Sequence, residues 1–433
     1  MPVTRRQFIK RSAAMVTIGL VLPKVWLGET RAEQASFNPN RKLVVIQLAG
    51  GNDGFNTVIP YTDARYYSLR PTLAFKEAEL KDANGRTTLL NDGPFGFHPA
   101  MGEIKDLYDQ HKVAIVLGAG YANPTLSHFL SMDIWHTADT SGLASRGWLG
   151  KYADIALVNG PSLSAASIGS LDLPKSLNAS RVVVPSILNF SLYNFLTDPG
   201  YSGDYANQLR AFNENAGRVF SQETFLGAIN NTALASVQWA QRVQTAVNSY
   251  QSSVVYPLNN PLAVGLKMVA QLITTVPEAS LLYVSMGGFD NHSDQIGDRR
   301  NDRTNKLIGD HALLLRWFSE AVDLFHADLQ EHNLADQVVM MQWSEFGRRP
   351  GENASFGTDH GTAAPVFVIG NPVQGGLYGS QPSLEASVLD RNGGNTEYTT
   401  DFREVYSTIL DKWLNVDSKA VLGAQYANAG FLS

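Results

Sequence analysis

Short apolar runs that end in glycine are the feature that most constrains the fold of this 433-residue chain. Five such runs, rich in Val, Ile, Leu and Met, recur along the sequence, and each is shorter than a typical buried helix. A run of this kind predicts a strand that is covered on both faces, as in a parallel sheet. The predicted strands are Lys42–Gly51, Lys112–Gly120, Ser280–Gly288, Gln337–Gly347 and Ala364–Asn371.

Helical patterns separate these strands, with apolar residues three or four positions apart. They cover Leu307–Leu329, Pro99–His111, Thr125–Thr137, Glu223–Ser252, Pro261–Thr274 and Phe402–Leu414. The alternation predicts an α/β/α sandwich with a mostly parallel central sheet. Residues 155–275 fit it poorly, and we interpret them as a mostly helical insertion with one strand near Ser180–Leu188. Since no linker or repeat divides residues 33–433, we predict one domain there.

The N-terminus predicts an export signal. "TRRQFIKR" (Thr4–Arg11) precedes a mildly apolar stretch that is too short to span a membrane. A basic start, a short apolar region and small residues before a cleavage point are typical of a secretory signal. The pair Arg5-Arg6 indicates the twin-arginine route, so we expect residues 1–32 to be removed and the export machinery to be a partner. The mature protein would be periplasmic or secreted, exported already folded, and would have no stable membrane span.

Charge and cysteine content exclude several classes of function. Without residues 1–32 the chain has 28 basic and 39 acidic residues, a net charge near −11 that disfavours nucleic-acid binding. The chain has no cysteine, so thiolate metal sites and a cysteine nucleophile are excluded. A protein exported folded would carry any metal that it acquired inside the cell.

Polar residues collect where the predicted strands end. In an open parallel sheet, ligands bind beyond the carboxyl ends of the strands. Aspartate, glutamate and histidine without cysteine are typical ligands of zinc, manganese, calcium or magnesium. We therefore predict a divalent metal site at this edge, built from segments far apart in sequence. The candidate ligands are Asp53, Asp290, His292, Glu345, Asp359 and His360, and the candidate catalytic residues beside them are Ser127, His128 and Arg348.

Several candidates also have a plain structural explanation. Asp53 in "GGNDG" is typical of a turn, and Asp290 and His292 in "GGFDNH" are compatible with a helix cap. Ser127 stands where a helix N-cap is common. Their combination on one predicted edge indicates a site.

Seven stretches in order carry a resemblance to a known family. They are "LVVIQLAGGNDGFNTVIPY", "HPAM", "NPTLSHFLSMDIW", "GGFDNH", "WSEFGR", "DHGTAAPVFVIG" and "DFREVYSTIL". Together they resemble the domain of unknown function 1501 family, from about Leu43 to the C-terminus. That family is grouped with the alkaline phosphatase–sulfatase superfamily. The resemblance implies an α/β/α sandwich with a metal site at the sheet edge, and a twin-arginine signal is common in the family.

The resemblance also implies roles for individual residues. Asp53 resembles the carboxylate at the end of the first strand, which holds one metal near the nucleophile. Ser127 resembles the nucleophile at a helix start, and Thr125 is the reserve candidate. Asp290 and His292 resemble the ligands of the other metal. Glu345 stands where an Asp-His pair is expected. His360 resembles a histidine late in the chain, called the late histidine below, which completes the other metal site.

This sequence departs from the superfamily's residue pattern in two places, which leaves alternatives open. Asp290 and His292 stand two residues apart rather than four, and Phe346 follows Glu345 where histidine is expected. Asp359 and His360 could supply the missing pair, but the late histidine would then be absent. A single metal or a degenerate site is compatible with this pattern.

Two functions follow from these residues. The first is a metal-dependent hydrolase of phosphate or sulfate esters, in which Ser127 attacks, Arg348 offers charge to a small anionic ester, and His128 acts as base or ligand. The second is a non-catalytic exported protein for binding or assembly, whose metal is structural.

Overall fold

The computed structural model describes residues 37–158, 163–190, 207, 210, 214, 239–298, 302 and 304–433. The predicted signal, residues 1–32, lies outside these residues. Within them, no helix has the length and apolar character that crossing a membrane requires.

The strands of the described chain form one large sheet and two small ribbons. Their bounds are β1 Lys42–Leu48, β2 Val58–Ile59, β3 Gly96–Phe97, β4 Val113–Gly120, β5 Ala165–Ile168, β6 Ser186–Ile187, β7 Leu281–Met286, β8 Val338–Trp343, β9 Arg348–Glu352, β10 Thr358–His360, β11 Ala364–Ile369, β12 Gly376–Gly379 and β13 Thr400–Asp401. All five strands predicted from apolar runs are confirmed, as β1, β4, β7, β8 and β11. The short strands were not predicted, apart from β6, which falls in the predicted range Ser180–Leu188.

The described helices lie between these strands. They are α1 Gly54–Thr57, α2 Ala64–Leu69, α3 Gly102–Asp109, α4 His128–Thr137, α5 Trp148–Ala156, α6 Pro261–Thr275, α7 Asp310–Glu331, α8 Ala386–Arg391, α9 Phe402–Thr408 and α10 Ser418–Leu422. A π-helical turn, Ile409–Trp413, follows α9, and residues 239–249 are also helical. The predicted insertion at 155–275 is described only in part, and it remains a prediction. Its described residues supply β5 and β6 to the large sheet.

The large sheet has the order β12-β4-β11-β8-β1-β7-β5-β6, with β13 also paired to β4. The pairs of β1 with β7 and β8 are parallel, as are those of β5 with β6 and β7. β11 runs antiparallel to both of its neighbours, β4 and β8. The predicted fold class, an α/β sandwich with a largely parallel sheet, is therefore confirmed, and β11 is its exception.

Apolar side chains alternate between the two faces of the sheet, so that each face has its own core. Val44, Ile46 and Leu48 of β1 pack with residues of α3, α6 and α7 on one face. Leu43 and Val45 pack with residues of α4, α5 and α9 on the other face. A strand covered on both sides cannot alternate apolar with polar residues, which explains the continuous apolar runs of the sequence.

The direction of β11 determines which loops meet. In the β11–β4 pair, Ala364 lies beside Ala119 and Ile369 beside Val113, so β11 begins where β4 ends. The loop that precedes β11 therefore lies at the same edge as the loops that follow β1, β7 and β8. This edge is called the carboxyl edge below.

Gly50 is needed where the turns after β1 and β7 touch. Its φ is +124°, and an added Cβ would lie 2.4 Å from the Asp290 backbone nitrogen. We expect Gly50→Ala to lower the free energy of unfolding by about 2–4 kcal/mol, because it adds both backbone strain and a backbone clash. Gly287→Ala, beside the same turn but with nothing within 4 Å of an added Cβ, is the control. Denaturant unfolding that shows equal losses for the two variants would contradict this close approach.

Candidate functional site

Asp290 lies at the centre of a group of histidines at the carboxyl edge. The turn after β7 carries Asp290 and His292, α4 begins at His128, and β10 ends at His360. Asp290 Oδ1 is 3.0 Å from His360 Nε2, 3.1 Å from His292 Nε2 and 3.5 Å from His128 Nε2. Three segments that are distant in sequence thus aim the same ring nitrogen at one carboxylate oxygen.

The other nitrogen of each ring has a separate acceptor. His360 Nδ1 donates to the Leu126 carbonyl at 2.8 Å. His128 Nδ1 lies 2.9 Å from Glu345 Oε1, and His292 Nδ1 lies 3.4 Å from Asp359 Oδ1. An acceptor at Nδ1 keeps the proton of a neutral imidazole there, so the Nε2 lone pair faces the centre. Metal-binding histidines are usually oriented in this way.

Two contacts of the histidine nitrogens favour a proton or a cation at the centre, in addition to the Arg348 charge. His292 Nε2 and His360 Nε2 lie 2.9 Å apart, and two lone pairs at this distance repel unless a proton or a cation lies between them. In addition, His128 Nε2 is shielded from solvent and has no hydrogen-bond partner among the described residues. A buried nitrogen without a partner costs free energy, so a ligand at this position would be stabilising.

The donor set fits a divalent cation. Ligand atoms of His128, Asp290 and His360 all lie within 4.8 Å of one another. Ligands about 2.1 Å from one ion stand roughly 3.0–3.4 Å apart, close to the 3.0 and 3.5 Å measured from Asp290 Oδ1. Two imidazoles and one carboxylate with an open fourth position are typical of catalytic zinc sites. His292 reaches the same oxygen from the exposed side.

Charge around Asp290 favours its ionised form. Partial burial alone would raise its pKa, but the hydrogen bond from Arg348 and the nearby positive charges lower the pKa of Asp290 to about 2. The hydrogen bond with Glu345 raises the pKa of His128, against the opposing effect of burial. The carboxylate is therefore available to a cation at neutral pH, whereas His128 must release its proton to serve as a ligand.

Glu345 and Asp359, predicted as metal ligands, instead lie beside the outer nitrogens of histidines. Glu345 is fully buried, and its Oε1 also accepts the Gly50 backbone N–H at 2.8 Å. Asp359 is exposed and accepts from Asn353 Nδ2 at 3.2 Å. Both carboxylates orient imidazoles rather than reach the centre.

Asp53 lies apart from the histidines. It is 2% exposed and forms an ion pair with the buried Arg70, with Nη1 2.5 Å from Oδ2 and Nη2 2.9 Å from Oδ1. Gln295 Nε2 donates to Oδ2 at 2.5 Å, and Oδ1 caps α1 by accepting the Phe55 N–H. Burial alone would raise the pKa of Asp53, but the Arg70 charge and these hydrogen bonds lower it. Both oxygens are occupied, so the structure does not bring Asp53 to the predicted metal position.

Arg348 is also committed to other groups. It is 1% exposed, and its guanidinium donates to backbone carbonyls and to Asp290 Oδ1, the last at 2.6 Å. The carbonyls belong to Gly50, Gly51, Phe289 and Thr358. Arg348 was predicted to offer its charge to a substrate anion, but these contacts leave it no free donor pointing to solvent. It joins the turns that build the centre.

Ser127, the predicted nucleophile, is exposed beside the cluster. It is the N-cap residue of α4, yet its side chain makes no capping hydrogen bond. Its backbone N–H donates to Oγ1 of Thr125, the reserve candidate, at 3.3 Å. Since Leu126 accepts from His360 and His128 faces Asp290, Ser127 lies between two residues that contact the cluster.

Arg70 and Gln295 are the polar residues that sequence reasoning missed. Arg70 stands in "SLRPTL" and Gln295 in "HSDQIG", where no motif distinguishes them from surface residues. Only the folded chain brings them to Asp53.

Comparisons with known proteins place this chain among proteins with little sequence identity to it. No curated protein matches its sequence. Similar solved structures include a protein in the alkaline phosphatase superfamily from Vibrio parahaemolyticus, with 10% identity over 92% of this chain and 77% of the other and a TM-score of 0.34. The PsFucS1 sulfatase from Pseudoalteromonas sp. has 10% identity over 91% and 74%, with a TM-score of 0.32. The lipoteichoic acid synthase LtaP from Listeria monocytogenes has 9% identity over 84% and 75%, with a TM-score of 0.31.

A family match covers the C-terminal half of the sequence. It spans residues 213–425 and so includes Asp290, His292 and His360, but it begins after Ser127 and His128. Residues 213–425 match the family described as protein of unknown function (DUF1501).

Proposed function

We propose that this chain is an exported, metal-dependent hydrolase of phosphate or sulfate esters. The observation that carries the proposal is the convergence of imidazole Nε2 atoms on Asp290 Oδ1, with every Nδ1 engaged elsewhere. His128, Asp290 and His360 would hold the ion, with His292 as a fourth donor at the exposed side. His128 thus takes the place that the sequence analysis gave to Asp53. Because two of the three ligands are imidazoles, zinc or manganese fits better than calcium or magnesium.

Ser127 is the nucleophile in this proposal. A divalent cation would supply positive charge that lowers the proton affinity of a nearby hydroxyl and stabilises negative charge on the ester oxygens. Ser127 Oγ attacks phosphorus or sulfur, the ester bond breaks, and the departing alcohol takes up the serine proton. Water then hydrolyses the serine ester, which releases phosphate or sulfate and regenerates the hydroxyl. The absence of a capping hydrogen bond leaves Ser127 Oγ available for this role.

A structural role for the centre is the second candidate. Arg348 Nη2 already lies 2.6 Å from Asp290 Oδ1, so a permanent positive charge balances this carboxylate without an ion. A centre balanced in this way could join the turns of the carboxyl edge in a protein that binds or assembles without catalysis. Metal content and turnover together separate the two candidates.

Metal binding depends on the histidines in this account. We expect the purified chain to hold about one divalent ion, and His360→Ala to retain less than about a tenth of it, because one of three ligands is lost. His111→Asn is the matched control, since His111 is exposed and its φ of 58° suits asparagine. Elemental analysis and circular dichroism of both variants make the measurement. Unchanged metal content in folded His360→Ala would contradict the ligand set.

Turnover depends on Ser127. We expect Ser127→Ala to lower hydrolysis of aryl phosphates or aryl sulfates by at least about a thousandfold, because the attacking atom is removed. Metal content should remain that of the unmodified protein. Thr125→Val removes the hydroxyl of the reserve candidate and should keep most of the activity. A Ser127→Ala variant that hydrolyses esters at the original rate would rule out this nucleophile.

Export depends on the paired arginines at the N-terminus. We expect replacement of both Arg5 and Arg6 by lysine to hold the precursor inside the cell, since the twin-arginine machinery reads this pair. Fractionation of cells that express either form measures the distribution. Equal export of the two forms would show that another route is used.

A further inference from the structure

The loop that carries Ser127 joins β4 to α4 and has little packing of its own. It spans residues 121–127, and residues 122–124 are exposed, as is Ser127 itself. A segment with so few buried contacts is free to move unless hydrogen bonds hold it. The position of Ser127 therefore depends on a small number of polar contacts.

Tyr121 is the buried end of this loop. It directly follows β4, is 2% exposed, and packs edge-on against Phe402, with the ring centroids 6.0 Å apart. Its hydroxyl accepts the Thr125 N–H at 3.3 Å and lies 2.8 Å from Ser131 Oγ in α4. One phenolic oxygen thus contacts both the loop and the helix that follows it.

The two ends of this hydrogen-bond chain determine its direction. Ser131 Oγ lies 2.5 Å from the Glu345 backbone carbonyl, which can only accept, so the serine hydroxyl donates there. The serine oxygen therefore accepts from the Tyr121 hydroxyl, whose own oxygen accepts from the Thr125 N–H. Burial raises the pKa of the Tyr121 phenol, so it retains the proton that this chain needs. Every hydroxyl of the chain is then both a donor and an acceptor.

The chain ends at residues that contact the histidine cluster. Glu345 Oε1 lies 2.9 Å from His128 Nδ1, so the residue that accepts the last hydrogen bond also orients a proposed ligand. Within the loop, the Leu126 carbonyl accepts from His360 Nδ1 at 2.8 Å. Ser127 stands between Leu126 and His128 in the sequence, and it is therefore held from both sides.

We infer that Tyr121 is a positioning residue for the proposed nucleophile, because its hydroxyl fixes the loop against Glu345 and so holds Ser127 beside the histidine cluster. The inference rests on the proposed function, in which Ser127 attacks the ester. Tyr121 acts through the loop and is not a catalytic residue, since its oxygen is occupied by Thr125 and Ser131. Small displacements of an attacking atom cost large factors in rate.

Kinetics of conservative variants test this role. We expect Tyr121→Phe to lower kcat for an aryl phosphate or aryl sulfate by about 10–100-fold with KM and metal content unchanged, because only the alignment of the attacking atom is lost. Ser131→Ala interrupts the same chain, so the double variant should lose no more than about twofold beyond the more impaired single variant. Tyr406→Phe is the matched control. It removes a buried phenol that donates to the Trp135 carbonyl at 3.0 Å, and it should keep kcat.

A spin label measures the position of the loop without reference to activity. The chain has no cysteine, so Ser127→Cys supplies a single thiol for a nitroxide. We expect Tyr121→Phe to shorten the rotational correlation time of this label by at least about twofold, since the loop loses its buried anchor. Tyr406→Phe should leave the spectrum of the label unchanged.

The outcomes separate this inference from the proposed function. Label motion that Tyr121→Phe leaves unchanged would overturn the inference, whether or not the protein hydrolyses esters. Additive losses of kcat in the double variant would also overturn it, because the two hydroxyls would then act separately. Faster label motion in a chain that hydrolyses no ester would support the anchor and contradict the proposed function. Should Tyr121→Phe not fold, Ser131→Ala with the same label decides.

Discussion

The buried guanidinium of Arg348 is the interaction on which the carboxyl edge depends. A charge that is 1% exposed is tolerated only where hydrogen bonds replace those of water. Arg348 finds them in the carbonyls after β1 and β7, in β10, and in Asp290. Replacing it by an apolar residue would leave these acceptors unsatisfied and the turns unconnected. Asp290 is therefore held in place by the same group that lowers its pKa.

A second buried ion pair, between Arg70 and Asp53, supports the ribbon formed by β9 and β10. Arg70 is fully buried, binds Asp53, and also donates to the backbone carbonyls of Arg349 and Pro350 in β9. Gln295 links Asp53 to Thr358 by accepting that hydroxyl at 2.8 Å, and the Thr358 carbonyl accepts from Arg348. Asp53 thus belongs to a continuous buried network that holds the ribbon carrying His360. This explains how a carboxylate that the family resemblance marks as important can lie apart from the histidines.

Much of the fold was predictable because burial leaves a direct trace in sequence. The runs that became β1, β4, β7, β8 and β11 are apolar on both faces, and the helices between them are periodic. The direction of β11 was not predictable, because a continuous apolar run indicates a buried strand but not whether it is parallel or antiparallel to its neighbours. That direction nevertheless brings His360 to the carboxyl edge.

The residue types of the candidate site and their place at the strand ends were predictable. The role of each residue was not, because it depends on the residues that its side chain contacts in the folded protein. No sequence pattern predicted β9, and so none revealed that Arg348 would be buried. The commitment of Asp53 to Arg70 depends on tertiary packing.

The position of a bound ion is the critical test of the proposed metal centre. Anomalous diffraction from crystals grown with zinc would locate it without reference to activity. We expect one peak, about 2.0–2.2 Å from His128 Nε2, His360 Nε2 and an Asp290 carboxylate oxygen. A peak at Asp53 with Arg70 displaced, or crystals in which these three side chains hold no ion, would contradict it.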